Sequence, residues 1–511
     1  MTGTMSPVAV DATDKDYEAL RTAMLDLAAE LLPAWTDHSP GDLGTLLVEL
    51  FAYAGDILTY YQDRIAAESY LATATEPQSL RHLLRLIGYE PTPAQPASAD
   101  LTLLCADRAG ALHVPSGATF VTGAADPVRF RYLGAAQRVD LGSLPLVEHR
   151  GNSYRRFCPD NVIGEDRLNG TLPVQECVEQ CTDLVGISDG SVWQRFALDR
   201  SPVVTESVEL VVTGGGGGDE PTSWKRQTTL LGSGPADTHY QLTHGDVGTV
   251  SVEFGDGRTG QIPRSGDHVT VSYRVGGGAH GNVPADSIVR PDPAIPGVEV
   301  VLNETAASGG VDAQTPAEAA RRAPALFRTA NRAVTGADYE NLACSFGIAK
   351  AYARPVEANI VELFVAPAGG GLPSDLLLHD LHQWLEGKRL LTVQLRLRPP
   401  AYVPVQIQAT WGVEPHRFFA DVQQRLERAI ADVVAFNRVR FGDTVYLSKI
   451  YEAAESVDGL SFINVTRFQR ADRAAPDLPQ DGRLSFEEHE IPLVDPPRDI
   501  ELHPAGGGDV R

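Results

Sequence analysis

The sequence predicts a multidomain α+β protein with N-terminal helices, a β-rich middle domain and two small C-terminal α/β units. Three observations predict this class. Apolar residues recur at helical spacing in the first ninety residues, and short alternating runs fill residues 100–301. Helical and alternating runs then take turns up to residue 470. A chain of 511 residues has room for about three or four domains.

The N-terminal segment, residues 1–95, is predicted to be helical and to bind other chains. From the candidate N-cap Asp42, apolar residues follow steps of three and four and form one broad stripe. A second helix is predicted from the cap Thr75 to Gly88. We expect helices of other chains to cover the stripe, because a two-helix segment has no core of its own; packing on this chain's β domain is the alternative. The expected interface residues are Leu43, Leu46, Leu47, Leu50, Phe51, Leu58, Tyr61 and Ile65.

The middle segment, residues 96–310, is predicted to be one β-rich domain with an insertion near 135–250. Runs such as "ADLTLLCA", "SVELVVTG" and "HVTVSYRV" alternate between Gly, Pro and Asp clusters. Between residues 151 and 190 the periodicity is weak, which indicates an inserted subdomain or long loops.

A glycine pattern, G-x-G-x-x-G, follows one of these strands at Gly276, Gly278 and Gly281. After a strand this spacing can bind the phosphates of a dinucleotide, provided that a helix begins there. Pro284 follows three residues later and opposes a helix at that point. We therefore predict a tight structural loop that needs positive φ angles, without a cofactor.

The C-terminal part is predicted as two α/β units, residues 311–400 and 401–470, followed by an extended or partly disordered tail, 471–511. Two helix starts in the first unit are well marked. Thr315 precedes Pro316, and a second cap at Thr335 is followed by Asp338, with a stop at Gly347.

Composition limits the kinds of partner. The net charge of −24 opposes sequence-independent binding of nucleic acid and adhesion to anionic membranes. The N-terminus lacks a secretory signal pattern, and Glu49 and Asp56 interrupt the longest apolar run, so we expect synthesis in the cytoplasm and no membrane insertion. The five cysteines are expected to be reduced.

Two clusters of residues are candidate metal ligands. His379 and His382 share a predicted helix face with Asp375 and Glu386, and the interpretation is a solvated face of an amphipathic helix. The second cluster is His149, Cys158, Cys177 and Cys181, for which buried thiols are favoured and a structural zinc stays open. No spacing of a catalytic motif is present, so we predict no catalytic residue and no enzyme.

Four stretches in series resemble the baseplate J-like family. They are Asp37–Ala74, Phe254–Ala285, Ser308–Ala343 with its "RAVTGADYENLA", and Gly442–Leu460. The resemblance implies a structural wedge component of the baseplate of a contractile phage tail or injection system. Residues 135–250 and 471–511 carry no part of it.

The resemblance also implies partners and a location. Two copies of such a protein join one larger wedge protein through an N-terminal helix bundle. Their C-terminal domains pair and link wedges into a ring around the hub, which holds the base of the sheath and couples baseplate change to contraction. Hub, spike and sheath-initiating proteins are the further expected partners, within a tail or tail-like particle, cytoplasmic or released.

Two other functions remain as alternatives. One is a wall hydrolase carried by the same particle, which would need a catalytic acid or histidine. The other is a peripheral module that binds a glycan or receptor through exposed aromatic residues, for which Trp193 and Trp224 are the candidates.

Overall fold

The computed structural model describes residues 16–504 except 40, 90, 109, 158–159, 164–165, 170–171, 216–219, 246–248, 358, 416 and 474–475. The chain forms two compact units, described separately below. The first comprises Met1–Pro91 with Gln314–Arg328, and the second Thr92–Ala313 with Thr329–Arg511.

Helices occur at both ends of the described chain. They are α1 (Tyr17–Leu31), α2 (Leu43–Glu68), α3 (Pro77–Leu86), α4 (Pro316–Thr329), α5 (Gly336–Phe346), α6 (Asp375–Glu386), α7 (Phe419–Val433), α8 (Leu447–Glu455) and α9 (Pro496–Asp499). The predicted N-caps Asp42 and Thr335 are confirmed, the latter in a capping box with Asp338. Thr75 is not a cap, because its hydroxyl donates to Glu68 Oε1 at 2.8 Å and α3 begins two residues later.

Strands fill the middle of the chain and alternate with helices after it. The first group is β1 (Ser98–Ala106), β2 (Ala111–Val114), β3 (Thr119–Thr122), β4 (Arg129–Tyr132), β5 (Gln137–Asp140), β6 (Leu146–His149), β7 (Asn152–Phe157), β8 (Asp160–Ile163), β9 (Asp166–Asn169) and β10 (Leu172–Glu176). The second group is β11 (Glu179–Ile187), β12 (Arg195–Ala197), β13 (Val203–Thr213), β14 (Thr222–Arg226), β15 (His239–His244), β16 (Val250–Phe254), β17 (His268–Val275), β18 (Ile288–Pro291) and β19 (Val298–Leu302). The third group is β20 (Lys350–Glu357), β21 (Ile360–Ala366), β22 (Gln394–Arg398), β23 (Ala401–Val413), β24 (Val445–Tyr446), β25 (Leu460–Arg470), β26 (Arg483–Leu484), β27 (Glu490–Leu493) and β28 (Ile500–Pro504).

The first unit joins the N-terminal helices to α4. Leu84 and Tyr89 pack with Ala319 and Ala323, all of them buried. Tyr89 Oη donates to Gln314 Oε1 at 2.9 Å. The sequence places α4 in the 311–400 unit; in the structure its small alanines instead leave room for the Leu84 and Tyr89 side chains.

The second unit begins with an eight-stranded sheet of order β18-β3-β4-β10-β1-β7-β6, with β19 also paired to β1. Its core is mainly aliphatic and also contains the aromatic residues Phe120, Phe130, Tyr132 and Phe157. β1 pairs antiparallel with both β7 and β10, so this sheet takes strands from the chain as far as residue 176. β2 with β5, and β8 with β9, form two separate two-stranded sheets.

A seven-stranded sheet is inserted into the first one. Its order is β11-β17-β13-β14-β15-β16-β12, and it spans residues 179–275. The insertion therefore begins and ends later than the predicted range of 135–250. Periodicity misplaced it because β7 and β10, with six and five residues, are too short to show a clear alternation. Trp224, Tyr240, Phe254 and Tyr273 fill its core.

Two α/β layers complete the second unit. The sheet β20-β21-β22 is followed by the sheet β25-β23-β27, in which β28 also pairs with β23. Trp411, Val422, Leu426 and Phe468 are fully buried in the core of the latter. β27 and β28 pair in parallel with β23, so residues 490–504 add strands to this sheet where the sequence predicts only a tail. Prolines within 490–504 obscure the alternation that would have revealed these strands.

Candidate interaction surface

The predicted interface residues of α2 are exposed in this chain. Each of the eight has between 47% and 69% of its surface accessible, although all are large and apolar. Isolated exposed apolar residues are ordinary, but a contiguous run along one helix marks a surface for another molecule. Burial of these residues by a partner remains a prediction.

α1 covers the opposite side of α2 and so fixes which side stays open. Thr45 and Ala52 are the buried residues of α2. A Cβ at Gly55 would lie 2.9 Å from Leu20 Cδ1, so the glycine permits close packing of the two helices. Arg21 Nε lies 3.3 Å from Glu49 Oε1 across the pair. The apolar side of α2 is left facing away from α1.

The start of α2 is held by one carboxylate. Asp42 accepts hydrogen bonds from the Thr45 amide at 2.9 Å and from Trp35 Nε1 at 3.0 Å. The bond from the Thr45 amide is the main cause that holds the pKa of Asp42 below its usual value. Gly44 lies under the Trp35 ring, where a Cβ would come within 2.6 Å of Cζ2. The tryptophan therefore fixes the chain direction into the helix.

The exposed face is larger than the predicted set. Ile57 and Tyr60, which widen the predicted stripe, are 39% and 59% exposed, and Tyr53 is 60% exposed. These three and the eight predicted residues are called the α2 face below. α1 adds Leu27 and Leu31, and its C-cap adds Leu32; all three are more than half exposed. Leu27 and Leu31 are four residues apart, and that spacing could have indicated them.

α2 is also long and apolar enough to cross a membrane, judged by length and composition. The helix has 26 residues, of which Glu49, Asp56, Asp63, Arg64 and Glu68 are charged. The sequence expectation against a span depends on two of those charges, Glu49 and Asp56. A membrane is therefore a second possible occupant of the α2 face, and experiments below separate it from a protein.

The glycine loop after β17 ties four segments together through consecutive amides. Gly276 donates to Pro202 O at 3.0 Å, and Gly277 donates to Glu176 Oε2 at 2.5 Å. Gly278 donates to Gln95 O at 3.0 Å, and Ala279 donates to Asp312 Oδ1 at 2.9 Å. All four donors are consumed by the protein itself. The loop is a junction between the two β-sheets and the segments that enter and leave them.

Each glycine of the pattern has a steric reason. Gly276 and Gly278 have φ of 158° and 131°, where side chains are disfavoured. Gly281 lies so close to Ala97, the residue before β1, that a Cβ at Gly281 would lie 2.9 Å from Ala97 Cβ. The predicted structural loop thus has its positive φ angles, and its glycines serve close packing.

Glu176 is fully buried beneath this loop. Burial raises the pKa of its carboxyl group, against the opposing effects of the Gly277 amide, His280 and Arg274. His280 Nε2 lies 3.5 Å from Oε1. The folded state therefore binds the proton of Glu176 more tightly than the unfolded chain does.

We predict that Glu176→Gln changes the pH dependence of unfolding. With a raised pKa in the fold, the stabilising contribution of Glu176 is complete below its unfolded pKa of about 4.5 and is lost as pH rises through the folded value. The amide does not titrate, so the stability of the variant relative to wild type should increase from pH 4 to pH 8. Urea unfolding at several pH values measures this difference. Glu220→Gln, at an exposed position, is the control and should show no such trend.

The candidate metal ligands are not brought together in the described residues, where no group of three or more His, Cys, Asp or Glu could hold a metal ion. Cys177 and Cys181 are buried free thiols, and Cys158 lies outside the described residues.

The interpretation of His379 as solvated is wrong, because α6 buries this side chain to 8% exposure, as it does Leu376 and Leu381. Its neighbour Asp380 has a pKa raised to about 6 by burial.

The two tryptophans that are candidates for ligand binding differ in exposure. Trp224 is a core residue of the inserted sheet, and its ring centroid lies 4.9 Å from that of Phe254. Trp193 is 44% exposed and has a φ of 57°. A single exposed indole is a weak indication of a glycan site.

Comparison with known proteins gives one sequence match. Residues 16–86 match the family model described as the bacteriophage baseplate protein, N-terminal domain. A search of curated proteins finds no match. Among solved structures, a chain of the anti-feeding prophage baseplate, determined by cryo-electron microscopy with six-fold symmetrisation, is similar at 13% identity. The alignment covers 94% of this chain and 98% of that one, with a TM-score of 0.32, which is too low to establish a shared fold.

The family match supports a structural component of a bacteriophage baseplate. It covers the segment that contains α1, α2 and α3. Its description names bacteriophage baseplate proteins and does not name the baseplate J-like proteins.

Proposed function

We propose that this chain is a baseplate wedge protein of the baseplate J-like kind, in a contractile phage tail or injection system. One observation carries the proposal: the segment that matches baseplate proteins, residues 16–86, is also the segment with a large uncovered apolar face. A helix with such a face gains stability when helices of other chains cover it. The α2 face would then enter an inter-subunit bundle.

The proposed assembly has two kinds of contact. Two copies of this chain join one larger wedge protein through the N-terminal helices. The C-terminal α/β units of neighbouring copies pair and connect wedges into a ring around the hub. In this arrangement the ring holds the sheath-initiating proteins and passes a change in the baseplate to the sheath. The location is a tail or tail-like particle that is assembled in the cytoplasm.

The proposed role is structural and not catalytic. The glycine loop is the best candidate for a nucleotide site in the sequence. Its backbone amides instead donate hydrogen bonds within the protein, to Glu176, Gln95, Pro202 and Asp312. A wall hydrolase in the same particle would digest peptidoglycan in a gel assay, and a glycan-binding module would retain isolated host polysaccharide. Neither property is expected here.

Location within a particle tests the proposal. A C-terminally tagged chain is expressed in the native host, and sheathed particles are purified and examined by negative-stain microscopy with gold-labelled antibody. We expect label at the baseplate end of the sheath, together with co-purifying baseplate proteins. A tagged chain found only as a free monomer, with unlabelled particles, would contradict the proposal.

A further inference from the structure

The α2 face contains a coiled-coil pattern. Leu43, Leu50 and Ile57 recur every seven residues, and Leu46, Tyr53 and Tyr60 recur three positions after them. This is the spacing of the two core positions, a and d, of a heptad repeat over three heptads. All six are exposed, so the seam has no partner within the described residues. A helix of another molecule is the natural occupant of such a seam.

Acidic residues border this seam at the same period. Glu49, Asp56 and Asp63 are seven residues apart, and each lies three residues after a d position, which is the g position of the heptad. Side chains at e and g contact the partner helix and select it by charge. One edge of the α2 seam is therefore negative along its length.

The surrounding segment is negative as well. Between residues 16 and 76 the sequence has eleven Asp and Glu and two Arg, Arg21 and Arg64. Arg21 contacts Glu49, and Arg64 pairs with Glu76 at 2.5 Å. A potential of this sign repels other acidic surfaces and attracts basic ones.

Self-pairing of α2 is disfavoured in both directions. In an antiparallel pair the g positions face each other, which would place the acidic edges in contact. In a parallel pair g faces e of the next heptad, and those residues are Ala54, Tyr61 and Glu68, none of which is a cation. An anionic membrane meets the same repulsion.

We propose that the α2 face binds an apolar heptad helix with Lys or Arg at its e and g positions, from a protein other than this chain. The inference rests on the proposed function, since it identifies the partner of the same bundle.

Synthetic helices provide the first test. The full chain is titrated with two fluorescent four-heptad peptides that share Leu at a and d and differ only in Lys or Glu at e and g. We expect the Lys peptide to bind roughly tenfold more tightly at low salt, with the preference shrinking as salt rises. Equal binding of the two peptides, or tighter binding of the Glu peptide, would overturn the proposal.

Charge reversal on α2 sharpens the test. Asp56→Lys with Asp63→Lys should invert the peptide preference, and Glu49 is left in place because it contacts Arg21. The control, Asp199→Lys with Glu220→Lys, makes the same change in net charge at exposed positions of the inserted sheet and its loops. The control should keep the wild-type preference; inversion in both variants would attribute the effect to net charge and overturn the proposal.

Two further measurements address the other occupants. Sedimentation of the full chain should show no self-association that Leu50→Asp removes. Flotation should show no Leu50-dependent binding to phosphatidylcholine vesicles, with or without phosphatidylglycerol. A dimer or vesicle binding that Leu50→Asp abolishes would replace the basic helix by a second copy or a membrane. If these tests fail while gold label still marks the baseplate, the wedge function stands and only the partner's chemistry is wrong.

Discussion

Leu47→Asp combined with Leu50→Asp is expected to abolish incorporation of this chain into particles while leaving the chain folded. The two leucines are 48% and 56% exposed in the chain alone, so the substitutions change its own stability by about 1 kcal/mol or less. In an assembled bundle each aspartate would be buried and unpaired, which costs several kcal/mol. Together they should weaken assembly by roughly a thousandfold or more.

The matched control for this double variant uses apolar residues outside the α2 face. Leu231→Asp with Leu391→Asp adds the same charge at positions that are 85% and 99% exposed. Particle yield and gold labelling should be normal for the control and lost for the double variant. Circular dichroism and thermal melting should match wild type for both. Normal particles with both variants would reject the bundle.

Local signals account for what the sequence predicts correctly. A helix start is specified by a side chain within three residues of it, and Asp42 and Thr335 are read from the sequence for that reason. The exposed residues of α2 are likewise visible as a periodic stripe, because helical spacing alone determines which residues share a face. The partner of that face is specified outside the helix, so periodicity cannot identify it.

Long-range pairing accounts for what the sequence does not predict. α4 joins the N-terminal helices through Tyr89 and Gln314, which are 225 residues apart. The inserted sheet starts only after β10, because β7 and β10 both pair with β1 in the first sheet. His379 is buried because α6 packs against other elements on the side that carries it. None of these contacts leaves a pattern within a short window of residues.

The glycine loop illustrates both cases. Pro284 is enough to argue against a nucleotide site from the sequence, because it prevents the helix that such a site requires. What the loop does instead could not be read from it. The carboxylate that accepts the Gly277 amide belongs to Glu176, 101 residues earlier, in a different sheet.

Gly277→Val should be the most damaging single substitution at this junction. Gly277 has a φ of 108°, which a β-branched residue adopts only at a cost. A Cβ there would lie 3.1 Å from the Ala94 carbonyl carbon and 3.2 Å from that of Gln95, and backbone cannot swing aside as a side chain can. We expect about 3 kcal/mol of destabilisation and, for a unit of about 400 residues, a fall in Tm of roughly 3–4 °C.

The neighbouring glycines rank the effect. Gly278→Val should cost less, because its Cβ would meet His280 Nδ1 at 2.8 Å and Asp312 Oδ1 at 3.0 Å, both at movable ends of side chains. Gly232→Val is the control, since no atom lies within 4 Å of its Cβ position and it has no positive φ. Calorimetry of the full chain should give the highest melting temperature for Gly232→Val, a lower one for Gly278→Val and the lowest for Gly277→Val. If the Gly277→Val protein has the melting temperature of wild type, the four hydrogen bonds donated by the backbone amides of the loop do not hold the two sheets together.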